Sequence, residues 1–174
     1  MENLKFSEDG LKEVQRKFFN TLVNTYSFFA MYANIDGFKY SGSQIPTNER
    51  PEIDQWVISR LNTTIKTVEA FLEDYEPTKA AREIEDFVEE LSNWYVRRNR
   101  RRFWKEGNTL DKTAAYQTLY ECLKSLSKMI SPIAPFMGEW LYQNLNKVTG
   151  LEEESVHISF FPTVEETAIF KKLP

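Results

Sequence analysis

A mainly α-helical fold, an antiparallel bundle of four long helices with a short extended C-terminal segment, is predicted by three features of this chain. Apolar residues recur at spacings of three and four over long stretches, the mark of one buried helical face. Proline, glycine and asparagine gather between those stretches. The one alternating apolar run, VHISFFP at 156–162, comes near the end. The helices fall at about 8–33, 51–75, 77–104 and 111–146, the fourth broken at its prolines, and the extended segment at about 156–162. A chain of 174 residues, 41% hydrophobic and 14% aromatic, suits a single domain with a well-packed core.

Helix by helix, the signals are local. Ser7 can cap the first helix, with Glu8 and Asp9 in its first turn, where negative charge is favourable. Leu11, Val14, Phe18, Leu22, Tyr26 and Phe29 mark its inward face. Residues 34–48, with two glycines and a proline, read as a surface connection. Pro51 suits the first turn of the second helix, whose inward face is Ile53, Val57, Leu61, Ile65, Val68 and Leu72, with Trp56 flanking it. Pro77 opens the third helix and Gly107 follows its end. Asp111 can cap the fourth, where Ala115, Leu119, Cys122, Leu123, Leu126, Met129 and Ile130 form the stripe. Pro132 and Pro135 then predict a break, after which a shorter helix resumes through Met137, Trp140, Leu141 and Leu145.

Charge is distributed unevenly. Arg97, Arg98, Arg100, Arg101, Arg102 and Lys105 lie within nine residues that contain no acid. Without these six, 16 basic residues face 26 acidic ones, so the net charge of -4 divides into +6 locally and -10 elsewhere. A single basic patch on an acidic body suits a docked polyanion held in one orientation. A solvated helix end, with arginines complementing the dipole, accounts for one or two of them. On a regular helix the apolar face through Ile84, Phe87, Val88, Leu91, Trp94 and Tyr95 continues into Arg98 and Arg102. Either those last turns project into solvent, or the two arginines pair with carboxylates.

Several chemistries have no support. His157 is the only histidine, so no two-histidine metal pair exists, and packing or a backbone hydrogen bond is its expected role. Cys122 alone forms no internal disulfide and no cysteine-cluster zinc site, which fits a reducing, cytoplasmic setting. The six glycines make no phosphate-cradling loop. No apolar run is long enough to span a membrane, and no secretory leader opens the chain. The stretch reads as non-catalytic on its own, with no metal site.

NWYVRRNRRRFW at 93–104 is similar to the signature of the helical anticodon-binding domain of isoleucyl-tRNA synthetases, class I enzymes that charge tRNA with isoleucine. NLKFSEDG, RKFFNTLVNTYSFF, NIDGF, RPEIDQWVISRLNT, DYEPTKAAREIEDFVEELSNWY, DKTAAYQTLYECL, MISPIAPFMGEWLY and VHISFFP follow the family's order over nearly the whole chain. The resemblance favours isoleucyl over valyl, leucyl and methionyl enzymes, which share the bundle more than the arginine-rich signature.

The resemblance implies a domain of a larger ligase, whose ATP, magnesium, HIGH-like and KMSKS-like motifs belong to a separate catalytic domain. Any zinc site of the parent would also lie outside this sequence. The implied partners are the tRNA for isoleucine and the parent's catalytic and editing domains, in a cytoplasmic monomer. Arg97, Arg98, Arg100, Arg101, Arg102 and Lys105 would hold anticodon-arm phosphates. Phe103 and Trp104 would stack on bases or lock the helix end, and Asn99 would bond a base edge or sugar. Trp94 and Tyr95 would anchor the helix, and Arg98 and Arg102 are alternatively structural. The competing reading is a helical interaction module whose basic tip docks on an acidic partner or another domain.

Overall fold

The computed structural model describes residues 7–40, 45–149 and 153–169. The NLKF lead, residues 41–44 of the first connection, residues 150–152 and the final residues 170–174 lie outside the described residues. Among the described residues the fold is mainly helical and holds no strand.

Ser7 caps α1 (Glu8–Val14), its Oγ accepting from the Gly10 N–H at 3.2 Å. A π-helical turn, Gln15–Phe19, joins α1 to α2 (Asn20–Asp36). Leu22, Phe29 and Ala33 enter the core, with Phe18 and Tyr26 packed at its edge. Leu11 and Val14 do not: they are 56% and 48% exposed. The first helical run thus reaches three residues beyond its predicted end, while its first two turns stand clear of the core.

Pro51 directly precedes α3 (Glu52–Glu73), which buries Val57, Leu61, Ile65 and Val68. Tyr75 turns the chain with a left-handed φ of 58°. Pro77 begins α4 (Pro77–Glu89); a second π-helical stretch, Glu90–Val96, then leads without a break into α5 (Arg97–Trp104). Thr109, not Asp111, caps α6 (Leu110–Ile130), accepting from the Lys112 N–H at 3.2 Å. Asp111 falls in the first turn instead, where its charge still complements the dipole.

The core sits around α6, which packs against α2, α3, α4, α5 and α7 (Pro135–Thr149). Every residue of its predicted stripe is at most 2% exposed. Aromatic rings fill the space beside it: Phe103 lies edge-on to Phe28 and Tyr116 at 5.1 and 5.0 Å, and Phe38 stacks on Tyr116 at 4.8 Å. The chain turns over 131–134 before Pro135 starts α7. There Gly138 allows close approach, since a Cβ would lie 2.9 Å from the Ser127 carbonyl oxygen and from the Ser131 Cα.

The tail departs from expectation. Val156–Ile158 forms a 3-10 turn, flanked by extended backbone at Ser155 and Ser159. Its polar groups are met locally: Glu139 accepts from the Val156 N–H at 2.9 Å and from the Ser155 hydroxyl at 3.0 Å. Val156 is buried, whereas His157 is exposed rather than packed, its backbone N–H bonded to Ser155 Oγ.

Candidate nucleic-acid interface

The helical run from Pro77 to Trp104 changes character along its length. In its first half Arg60 of α3 pairs with Glu83 at 2.9 Å and with Glu90 at 2.7 Å, so acid there is partly neutralised against the neighbouring helix. Beyond Glu90 the helix widens by π-type hydrogen bonding, which places one additional residue in the turn. The buried positions accordingly run Ile84, Phe87, Val88, Leu91, Tyr95, Val96, Asn99 and Phe103. A regular helix would have continued through Trp94 and Arg98. The inserted residue rotates both outward and carries Asn99 and Phe103 inward.

This register sorts the predicted site residues. Arg97, Arg98, Arg100, Arg101, Trp104 and Lys105 are exposed. None of the five cations among them is in an ion pair among the described residues. Three residues take internal roles, which for Phe103 and Arg102 are the structural alternatives raised by the sequence and for Asn99 is a correction. Phe103 is 1% exposed and both its ring contacts are core aromatics, so no base can stack on it. Asn99 is 4% exposed, donating to the Tyr95 carbonyl at 2.8 Å and accepting from Arg102 at 3.1 Å. Arg102 turns inward onto Asp54 at 2.6 and 2.8 Å. Its Nη2 also donates to the Asp111 carbonyl at 2.7 Å.

Asp54 is 0% exposed and also accepts from the Tyr95 hydroxyl at 2.7 Å. Burial, and then the adjoining Asp54 charge, push the Tyr95 phenol well up, keeping it a neutral donor. Burial alone would lower the Arg102 guanidinium, but its bonds to Asp54 outweigh that and hold it charged. Lys105 ends the helix in extended geometry, and its carbonyl accepts from the buried Lys112 Nζ at 2.8 Å. The tip is therefore fastened on its inner side by Asp54 and at its end by Lys112, which leaves its outer side cationic.

Five exposed positive charges oppose a helix C-terminal dipole worth about half an elementary charge, so the tip remains strongly positive. Guanidinium groups offer forked donors suited to phosphate oxygens. Besides Trp104, two more exposed indoles join them. Trp94, expected as an anchor, is 49% exposed; Trp56 of α3 is 36% exposed, with ring centroids 5.7 Å apart. Trp56 was visible in the sequence only as a residue flanking the inward face, and nothing local placed it beside the basic run. Arg50, 4% exposed, was likewise not singled out; it meets Glu121 at 2.8 and 2.9 Å and fastens the first connection. Among the described residues no group of His, Cys, Asp or Glu converges as a metal site would.

A family model described as "Anticodon-binding domain of tRNA ligase" matches residues 54–173. The chain belongs to this family. The anticodon-binding domain is also similar, over almost all of its length, to proteins named isoleucine-tRNA ligase. That of Bacteroides fragilis is 56% identical over 174 residues, 99% of this chain and 15% of the relative. That of Cytophaga hutchinsonii is 54% identical over 167 residues, 95% and 15%. That of Dehalococcoides mccartyi is 49% identical over 170 residues, 97% and 17%. The chain thus spans about a sixth of the length of these curated relatives. The matched region begins at Asp54, the residue that fastens the tip, and includes the whole basic run.

Proposed function

We propose that this chain is the part of an isoleucine-tRNA ligase that grips the anticodon arm of the tRNA for isoleucine, the full enzyme joining isoleucine to that tRNA with ATP. The observation that carries this reading is the row of exposed guanidiniums at Arg97, Arg98, Arg100 and Arg101, with no carboxylate paired to them among the described residues. Phosphate contacts there position the RNA, while discrimination between anticodons requires base contacts. The long helices are read as one antiparallel bundle, since the short links α3–α4 and α6–α7 join pairs that pack together.

Activation chemistry is assigned to other parts of the ligase. ATP and magnesium are accordingly assigned to the ligase's catalytic domain. No helix of the described residues is long and apolar enough to cross a membrane, and a cytoplasmic monomer is the working assignment. A second role, docking onto the ligase's catalytic and editing domains, is favoured by the nearly bare rings of Phe136 and Phe160, 91% and 85% exposed.

Charge reversal tests the RNA role. In filter binding with isoleucine tRNA, Arg97→Glu with Arg101→Glu should weaken binding and flatten the slope of log K against log salt by about 1.5, the loss of roughly two phosphate contacts. Unchanged binding by a folded double variant would refute it.

A further inference from the structure

Trp56, Trp94 and Arg98 form a cluster of flat groups that phosphate binding alone does not explain. The Arg98 guanidinium carbon lies 3.8 Å from the Trp94 ring centroid, a stacking distance, and Trp94 meets Trp56 on the neighbouring helix at an interplanar angle of 42°. All three are exposed. An exposed arginine ordinarily samples many rotamers; here the indole offers the guanidinium a cation–π contact that favours one placement over the ring. The π-helical turn creates the arrangement, because on a regular helix Trp94 and Arg98 would continue the buried face.

Such a cluster combines extended aromatic faces with fixed positive charge, next to Arg97 and Arg101. An acidic peptide would use the charge but has no need of the planes. An apolar surface would use the indoles but would strand the guanidiniums without partners. A nucleobase that is unpaired, and attached to a phosphate, uses both. We infer that Trp56, Trp94 and Arg98 are a stacking platform for one unpaired base of the bound RNA; this rests on the RNA reading above and adds where a base, not just the backbone, is held.

The test uses the 174-residue chain at low salt with two labelled RNAs of equal charge, a hairpin with a single-stranded loop and a fully paired duplex. Trp94→Ala should weaken hairpin binding about tenfold, change duplex binding by less than about twofold, and leave the salt slope intact, since no phosphate contact is lost. Trp94→Phe should retain most of the affinity, and an abasic loop position should remove the difference between Trp94→Ala and the unaltered chain. Should Trp94→Ala fail to fold, Trp56→Ala on the neighbouring helix makes the same comparison without removing a charge. If hairpin binding is insensitive to Trp94→Ala but weakened by Arg97→Glu with Arg101→Glu, the platform is refuted while the RNA function stands. If neither change matters, both fail. An acidic peptide that binds with the same dependence on Trp94 would also overturn the platform, in favour of a protein ligand.

Discussion

Arg102 grips Asp54 with both ends of its guanidinium, Nη1 to Oδ1 at 2.6 Å and Nη2 to Oδ2 at 2.8 Å. The pair joins α5 to α3 at the base of the basic tip, and it sits at the boundary of the core, with side chains 12% and 0% exposed. Its fork geometry turns one arginine of the run into a fastening for the others. Arg102 Nε, buried without a hydrogen-bond partner among the described residues, shows that the grip is made at some polar cost.

Removing one partner should therefore be more damaging than removing both. Arg102→Ala leaves the wholly buried Asp54 carboxylate with Tyr95 alone, and should lower unfolding stability by about 3 to 5 kcal/mol. Asp54→Leu with Arg102→Met should recover much of that loss, and Arg102→Lys, unable to make the two-point contact, should fall between. Urea denaturation of the three variants checks the order. A loss below about 1 kcal/mol for Arg102→Ala would contradict the role given to the pair.

Acid should loosen the opposite clamp. Burial pushes the Asp36 carboxyl up, yet the hydrogen bonds from Lys112 and Tyr116, both at 2.5 Å, outweigh it and leave the group below its ordinary value. A carboxyl lowered in the folded state contributes stability above its unfolded pKa and loses it as pH falls through the folded one. The stability gap between the unaltered chain and Asp36→Asn should be widest near pH 5 to 7 and shrink below about pH 4. Urea midpoints over that range measure it; a gap independent of pH would exclude Asp36 as the titrating group.

Tyr75 offers a stabilising change. Its φ of 58° places a residue with a Cβ in the left-handed region, and its side chain is 91% exposed, so little contact would be lost. The turn itself is closed by the backbone, Glu76 N–H to the Phe71 carbonyl at 2.8 Å. Tyr75→Gly should raise stability by about 1 kcal/mol, a melting shift of about 2 to 4 °C, while Tyr75→Ala should not. Calorimetry on the two variants distinguishes relief of strain from loss of the ring.

Much of the scaffold could be read from spacing. The α6 stripe from Ala115 to Ile130 is buried in full, and Pro135 marks the start of α7, because periodicity and proline act within a few residues. The candidate site was legible in its charge but not in its geometry. Phe103 beside arginines could stack on a base or lock the helix end; its ring lies between Tyr116 and Phe28, the latter far from it in sequence, and so takes the second role. Leu11 and Val14 had the right period, yet about half of each side chain stays exposed, because burial depends on what packs opposite and not on period alone.

By itself the amino-acid order determined the helical class, the family, and the gathering of cations in one short run of an otherwise acidic chain, since these depend on composition and short-range pattern. Which cations face outward was decided by tertiary structure. The π-helical stretch at Glu90–Val96 turns the face by one residue, and Asp54, 48 residues away along the chain, draws Arg102 inward. Both choices depend on what the helix packs against: an arginine beside a buried carboxylate is held by it, while the same residue type one turn earlier, at Arg98, is exposed and lies over an indole.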